Sequence, residues 1–211
     1  KFKKKIRIIN LDSTKNISLD KIIKEIKKLK RIDSFVNCSY PRDKNWDKNT
    51  FDSNDLNAFK DNLNINFISN AWLSKQIVEH IKTKKFKASI VLFSSIYGMV
   101  GQDPNIYIGT NLKENLCYSI IKGGMLNFTR LMASYYGKYN IRINCISPGG
   151  VRNKKNKLQN IKFLKNYSKR VPINRMANPE EIANCVIFLC SNLSSYMNGA
   201  NLVVDGGWTS I

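Results

Sequence analysis

Apolar positions along this chain follow two alternating rhythms. Short, nearly continuous runs predict strands: Ile6 to Leu11 (IRIINL), Ser34 to Asn37 (SFVN), Ser89 to Phe93 (SIVLF), Ile141 to Ile146 (IRINCI) and Asn201 to Val204 (NLVV). The unbroken apolar character of SIVLF predicts a parallel sheet covered on both faces, and SFVN is expected to be buried as well. Between these runs the spacing turns helical. Leu19, Ile22, Ile23, Ile26 and Leu29 mark one helix, and a longer pattern runs from Asn54 to Ile81. Tyr118 to Tyr136 is a third helix. Pro179 opens a fourth, to about Ser191, with Glu180 and Glu181 in the first turn, where the helix dipole favours acids. Alternating strands and helices without repeats or a low-complexity linker predict one α/β domain over residues 1–211, a doubly wound parallel sheet with crossover connections.

Composition narrows the classes. A chain of 211 residues with 43% hydrophobic residues is long enough to bury a core, so disorder is a poor expectation. No apolar run approaches the ~18 residues of a membrane span. The basic start, Lys1 to Lys5, is followed by too short an apolar stretch for a signal peptide. The formal charge is +20, from 35 Lys and Arg against 15 Asp and Glu. The excess is spread evenly, net +11 over residues 1–87 and +9 over the rest, which favours a solvated basic surface over a nucleic-acid groove. Five cysteines without a CxxC point to a reducing cytoplasm rather than a disulfide framework. His80 is the only histidine and sits on a helical stretch, which argues against a zinc site and a Ser-His-Asp triad.

The sharpest chemistry lies in Tyr118-Ser119-Ile120-Ile121-Lys122. A spacing of four on a helix puts phenol and ammonium on one face. A neighbouring ammonium favours the phenolate, so Lys122 is expected to lower the Tyr118 pKa and make it a general acid/base. Upstream, the strand SIVLF ends in Ser94-Ser95, at the strand end where open α/β sheets bind ligands.

Ser95, the YxxxK at Tyr118 and Lys122, the IRINCISPGGV stretch, RMANPEEIA and NLVVDGGW follow in an order that resembles the short-chain dehydrogenase/reductase family, from about Ile6 to the end. The resemblance implies a Rossmann-like fold and NAD or NADP as cofactor, with hydride transfer to or from a carbonyl/alcohol pair of a small molecule. It implies Tyr118 as proton donor, Lys122 as its partner and the holder of the nicotinamide ribose, and Ser95 as a hydrogen-bond donor to the substrate oxygen. Asn66 falls where the family has a helix Asn that supports a proton-relay water. Asn37 matches the first Asn of the family's NNAG, Asp12 the Asp that contacts adenine, and Pro148, Gly149 and Val151 the loop bordering the nicotinamide. The family also implies a homodimer or homotetramer. Trp208 is either an interface anchor or a residue packed within its own subunit.

Three departures qualify the resemblance. The family's first two strands and its TGxxxGxG loop have no counterpart, so the fold is expected to be N-terminally truncated, with residues 6–11 at the third strand. The residue that selects NAD or NADP belongs to the missing part. NNAG is replaced by Asn37-Cys38-Ser39-Tyr40, a Tyr where Gly lets the backbone approach the cofactor, followed by Arg42, a candidate for an anionic group. Ser95 and Tyr118 are 23 residues apart, and the long Met99 to Cys117 loop between them carries Asp103, Tyr107, Thr110 and Glu114, which suits a hydroxyl-rich substrate. These features resemble a subgroup acting on sugars or sugar acids for surface polysaccharides, including flagellin glycans. The alternatives are a 3-oxoacyl carrier-protein reductase and a truncated, non-catalytic relative serving as a binding or scaffold protein.

Overall fold

The computed structural model describes residues 16–42, 45–53, 55–153 and 159–211. Strands β1 (Ser34–Asn37), β2 (Ala88–Phe93), β3 (Ile141–Pro148) and β4 (Asn201–Val204) form one parallel sheet in sequence order. β2 and β3 lie at its centre, in register from Ala88 opposite Ile141 to Phe93 opposite Ile146. Parallel neighbours require crossovers. These are supplied by α2 (Leu56–Leu63) and α3 (Ser69–Thr83), then α4 (Leu116–Tyr136), then α5 (Ile161–Arg170) and α6 (Pro179–Cys190); α1 (Asn16–Lys27) precedes β1.

Successive strand side chains point to opposite faces, so a continuous apolar run needs two covers. Ile90, Leu92 and Ile143 pack with Ile77 and Ile81 of α3 and Met125 of α4 on one face. Val91 and Ile146 pack with Ile182 and Leu189 of α6 on the other. Helices on both faces of a parallel sheet are the doubly wound arrangement expected from the sequence. A third apolar cluster lies at the carboxyl end of the sheet, where Ile96 and Ile106 meet Phe163 and Tyr167 of α5 and Trp208.

Several elements differ from expectation. The helical pattern to Ile81 is interrupted by a π-helical turn, Asn64–Ile68, between α2 and α3. SFVN is not a buried strand. Among the described residues it forms one edge of the sheet, and of its four residues only Asn37 is buried. Helix α5 was not foreseen, because Phe163 and Tyr167, the pair it buries, stand among lysines that mask their helical spacing. Trp208 is buried inside its own subunit, with its ring stacked 4.8 Å from that of Tyr167, so it is no interface anchor. The run Ile6 to Leu11 and Asp12 lie outside the described residues.

Asparagine side chains join the sheet to the final turn. Buried Asn144 on β3 donates to the Met197 carbonyl at 2.9 Å and accepts from the Ala200 amide at 3.0 Å. Leaving such partners unpaired in the interior costs about 1–3 kcal/mol. Asn144→Ala should lower the unfolding free energy by that amount, read as a lower urea midpoint with an unchanged m-value. An unchanged midpoint would remove Asn144 from the account of how β4 is held.

Candidate active site

The carboxyl ends of β2 and β3 and the start of α4 surround a cavity of about 540 Å³. Ser95 leaves β2 in an extended conformation and caps the short 3-10 turn Ile96–Gly98, its Oγ accepting from the Tyr97 amide at 3.2 Å. The preceding Ser94 hydroxyl donates to the Lys122 carbonyl at 2.7 Å, tying β2 to α4. A Cβ on Gly98 would lie 2.6 Å from the Lys122 carbonyl carbon, so only glycine permits this approach.

The start of α4 is held as firmly. Asn115 caps the helix, its Oδ1 accepting from the Tyr118 amide at 2.9 Å. The same side chain donates to the Trp46 carbonyl at 3.2 Å, and the Leu116 amide donates to the Asn49 carbonyl at 2.8 Å. These bonds set the rotation of α4. The four-residue spacing then brings Tyr118 and Lys122 to the same wall of the cavity as Ser95.

Tyr118 sits in a nest of rings. Tyr40, Tyr97 and Trp46 approach it edge-on, at centroid distances of 5.2, 6.3 and 6.4 Å. Burial pushes the phenol pKa above its ordinary value, while a hydrogen bond with the Ser95 hydroxyl and the charge of Arg42 oppose the rise. This corrects the expectation that Lys122 would hold the phenol down. Here the net direction is upward, and Ser95 and Arg42 supply the opposition.

Lys122 is itself buried, and loss of solvation lowers its pKa to about 8. Its ammonium donates to the Phe93 carbonyl at 3.2 Å and lies 4.6 Å from the centre of the Tyr40 ring, a cation–π contact. Tyr40 therefore packs on Lys122 and Tyr118 and is not among the residues lining the cavity, so the departure from glycine leaves the cavity open.

Pro148, Gly149 and Val151 line the same cavity, at the end of β3. The Gly149 amide donates to the Val204 carbonyl at 2.9 Å, and Val151 bridges to Ala177. Asn37 and Asn66 do not line it. Asn37 Nδ2 donates to Asn70 Oδ1 and Ser74 Oγ, each at 3.3 Å. Asn66, in the π turn, donates to the Pro41 carbonyl at 3.2 Å. Asn70 links the two, donating to the carbonyls of Ser39 and Asn66 at 3.2 and 2.7 Å. The role of Asn70 was missed, although it lies one helical turn beyond Asn66.

The Met99 to Cys117 loop also differs from expectation. Asp103 caps the turn Pro104–Tyr107 and pairs with Arg170 at 3.5 Å, and the Thr110 hydroxyl donates to the Tyr107 carbonyl at 2.7 Å. Those polar side chains hold the loop. The loop lines the cavity with Gln102, Ile106, Tyr107, Leu112, Lys113 and Asn115.

Two observations bear on whether a dinucleotide fits. The Lys122 ammonium spends one of its three N–H groups on Phe93, leaving donors for the paired hydroxyls of a ribose. Asn66 Oδ1 is buried without a hydrogen-bond partner among the described residues, the setting in which a buried water is held. The residues present fit the nicotinamide half of the cofactor.

Known proteins resemble the chain over most of its length. A family profile described as Enoyl-(Acyl carrier protein) reductase matches residues 1–209. Post-translational flagellin modification protein A of Campylobacter coli is 31% identical over 208 residues, 98% of this chain and 79% of that protein. The 3-oxoacyl-acyl-carrier-protein reductase of Chlamydia pneumoniae is 31% identical over 147 residues, 70% of this chain but only 55% of that enzyme. Among solved structures, a short chain dehydrogenase from Leptospira borgpetersenii with bound NAD+ is 32% identical, with a TM-score of 0.81 over 95% of this chain and 74% of that one. The profile match over nearly every residue and the shared fold lead to one assignment: the chain belongs to the short-chain dehydrogenase/reductase family, whose members are NAD- or NADP-dependent oxidoreductases.

Proposed function

We propose that this protein interconverts an alcohol and a carbonyl on a sugar or sugar-derived acid used in surface-polysaccharide biosynthesis. The observation that carries the chemistry is the convergence of Ser95, Tyr118 and Lys122 on one cavity, with the rotation of α4 fixed by the Asn115 cap. The 31% identity to a flagellin modification protein supports the sugar pathway.

A bound nicotinamide supplies or receives the hydride. In the reducing direction the Ser95 and Tyr118 hydroxyls face the carbonyl oxygen, where negative charge develops. Tyr118 gives its proton to that oxygen, and in the oxidising direction takes it back. Lys122, while charged, holds the ribose hydroxyls, and the Ser95 hydroxyl and the Arg42 charge favour the Tyr118 phenolate left after transfer. Asn66, through a water on its free Oδ1, returns the proton from solvent. Asn37 holds its loop against Asn70 and Ser74 beside the cofactor, and Pro148, Gly149 and Val151 border the nicotinamide. Asp12 is proposed for the adenine end.

The remaining proposals follow from surface features. Ile68, Trp72, Leu131 and Tyr135 are exposed apolar residues, which suits a homodimer or homotetramer. Among the described residues no helix is long and apolar enough to cross a membrane. All five cysteines are free, which supports a reducing cytoplasm.

Calorimetry with NAD and NADP, followed by turnover on a panel of sugar acids and sugar phosphates, tests the reading. Absence of dinucleotide binding both by this chain and by a version extended to its natural start would return the non-catalytic alternative. Tyr118→Phe should cut kcat at least about 100-fold, the lower bound for a lost general acid, with an unchanged circular dichroism spectrum. Full turnover in that variant would sink the assigned chemistry.

The pH dependence has a definite sign. Lys122 is charged below about pH 8 and neutral above it. Carbonyl reduction should therefore be level at lower pH and fall as pH rises through about 8. Lys122→Arg, which stays charged, should move the fall to higher pH; a profile unmoved in that variant would assign the break to another group.

A further inference from the structure

The oxidoreduction described above gives Arg42 no contact with substrate, although it lies at the cavity. Its guanidinium carbon lies 5.2 Å from the centre of the Trp46 ring, and Trp46 is itself edge-on to Tyr118. One aromatic ring thus separates the guanidinium from the proposed proton donor. A guanidinium stacked on a ring keeps its in-plane N–H edge available for a carboxylate or a phosphate. Arg42 is exposed and lines the cavity rather than packing into the core.

The rest of the lining shares its sign. Arg42, Lys113 and Lys122 are the charged residues there, and no Asp or Glu is found among the described lining residues. Lys113 is balanced by Asp52, which sits 3.2 Å from it. Among the described residues no carboxylate makes an ion pair with Arg42. A cleft lined by one sign of charge, in a chain of formal charge +20, concentrates anions at its mouth.

We propose that Arg42 recognises an anionic group on the substrate, a carboxylate or a phosphate monoester, and selects acidic over neutral alcohols. This rests on the oxidoreductase reading of the same cavity. A cleft of about 540 Å³, shared with the nicotinamide, suits a compact molecule with its anion a few bonds from the reacting carbon. Sugar acids and sugar phosphates have that shape. A carrier-protein thioester does not, because a long arm separates its phosphate from the reacting ketone. The Arg42 charge also opposes the upward shift of the Tyr118 phenol, so one residue serves both binding and the acid/base group.

The test is titration of the full chain, with NADH present and absent, using gluconate, glucose 6-phosphate and sorbitol. Calorimetry gives affinity, and tryptophan fluorescence reports on Trp46 beneath the guanidinium. At least one acidic probe should bind about tenfold or more tighter than sorbitol, the range of a charge-assisted hydrogen bond. The two acidic probes distinguish carboxylate from phosphate. Arg42→Gln should abolish the preference and leave sorbitol and NADH affinities unchanged. A preference that survives Arg42→Gln, or no preference in the unaltered chain, overturns the proposal. So does an equal loss of NADH affinity in Arg42→Gln, which would give Arg42 to the cofactor's phosphates. Failure of the unaltered chain to bind either NADH or NADPH counts against the oxidoreductase reading alone, since the titration without cofactor still decides Arg42.

Discussion

The site depends on how closely α4 can approach the end of β2. The Ser94 hydroxyl bonds the Lys122 carbonyl, and the absence of a side chain at Gly98 lets the two backbones meet. The strand end carries Ser95 and the helix carries Tyr118 and Lys122, so this one contact sets the distance between the three functional groups. The Asn115 cap and the Asn49 carbonyl then fix the helix against rotation. A reaction that places two hydroxyl donors on one oxygen needs that precision.

A second consequence of this packing is electrostatic. The approach that joins Tyr118 to Lys122 also buries both, and burial penalises phenolate and ammonium alike. The phenol moves up and the ammonium down. For the phenol, opposition comes from other elements, through the Ser95 hydroxyl and the Arg42 charge. Tyr40 adds a neutral ring over the ammonium, which stabilises charge without adding a counter-ion.

Support for the cofactor side comes from polar bonds behind the cavity wall. Asn37, Asn66, Asn70 and Ser74 join the loop after β1 to the π turn and to α3. The π turn matters here because it inserts an extra residue into the helical ladder, and such turns are frequent at functional sites. On the substrate side, the Met99 to Cys117 loop packs its apolar residues on α5, pairs Asp103 with Arg170 of that helix and turns the Thr110 hydroxyl to its own Tyr107 carbonyl.

Much of this was legible in the sequence for local reasons. SIVLF reads as a strand covered on both faces and IRINCI as another strand, and the spacing of Tyr118 and Lys122 places them on one helical face in any fold that keeps the helix. Ser95, Tyr118 and Lys122 were all within reach of pattern and resemblance. The tertiary structure alone decided the rest, because each remaining feature depends on residues distant in the chain. The edge position of SFVN among the described strands follows from which strands pair, and α5 is held by a cluster assembled from separate segments. Whether Trp208 faces a partner or its own core depends on where Tyr167 lies. The sign of the Tyr118 shift depends on burial and on Arg42, 76 positions away in sequence. Local periodicity carries the elements; solvation and charge at a site belong to the packed molecule.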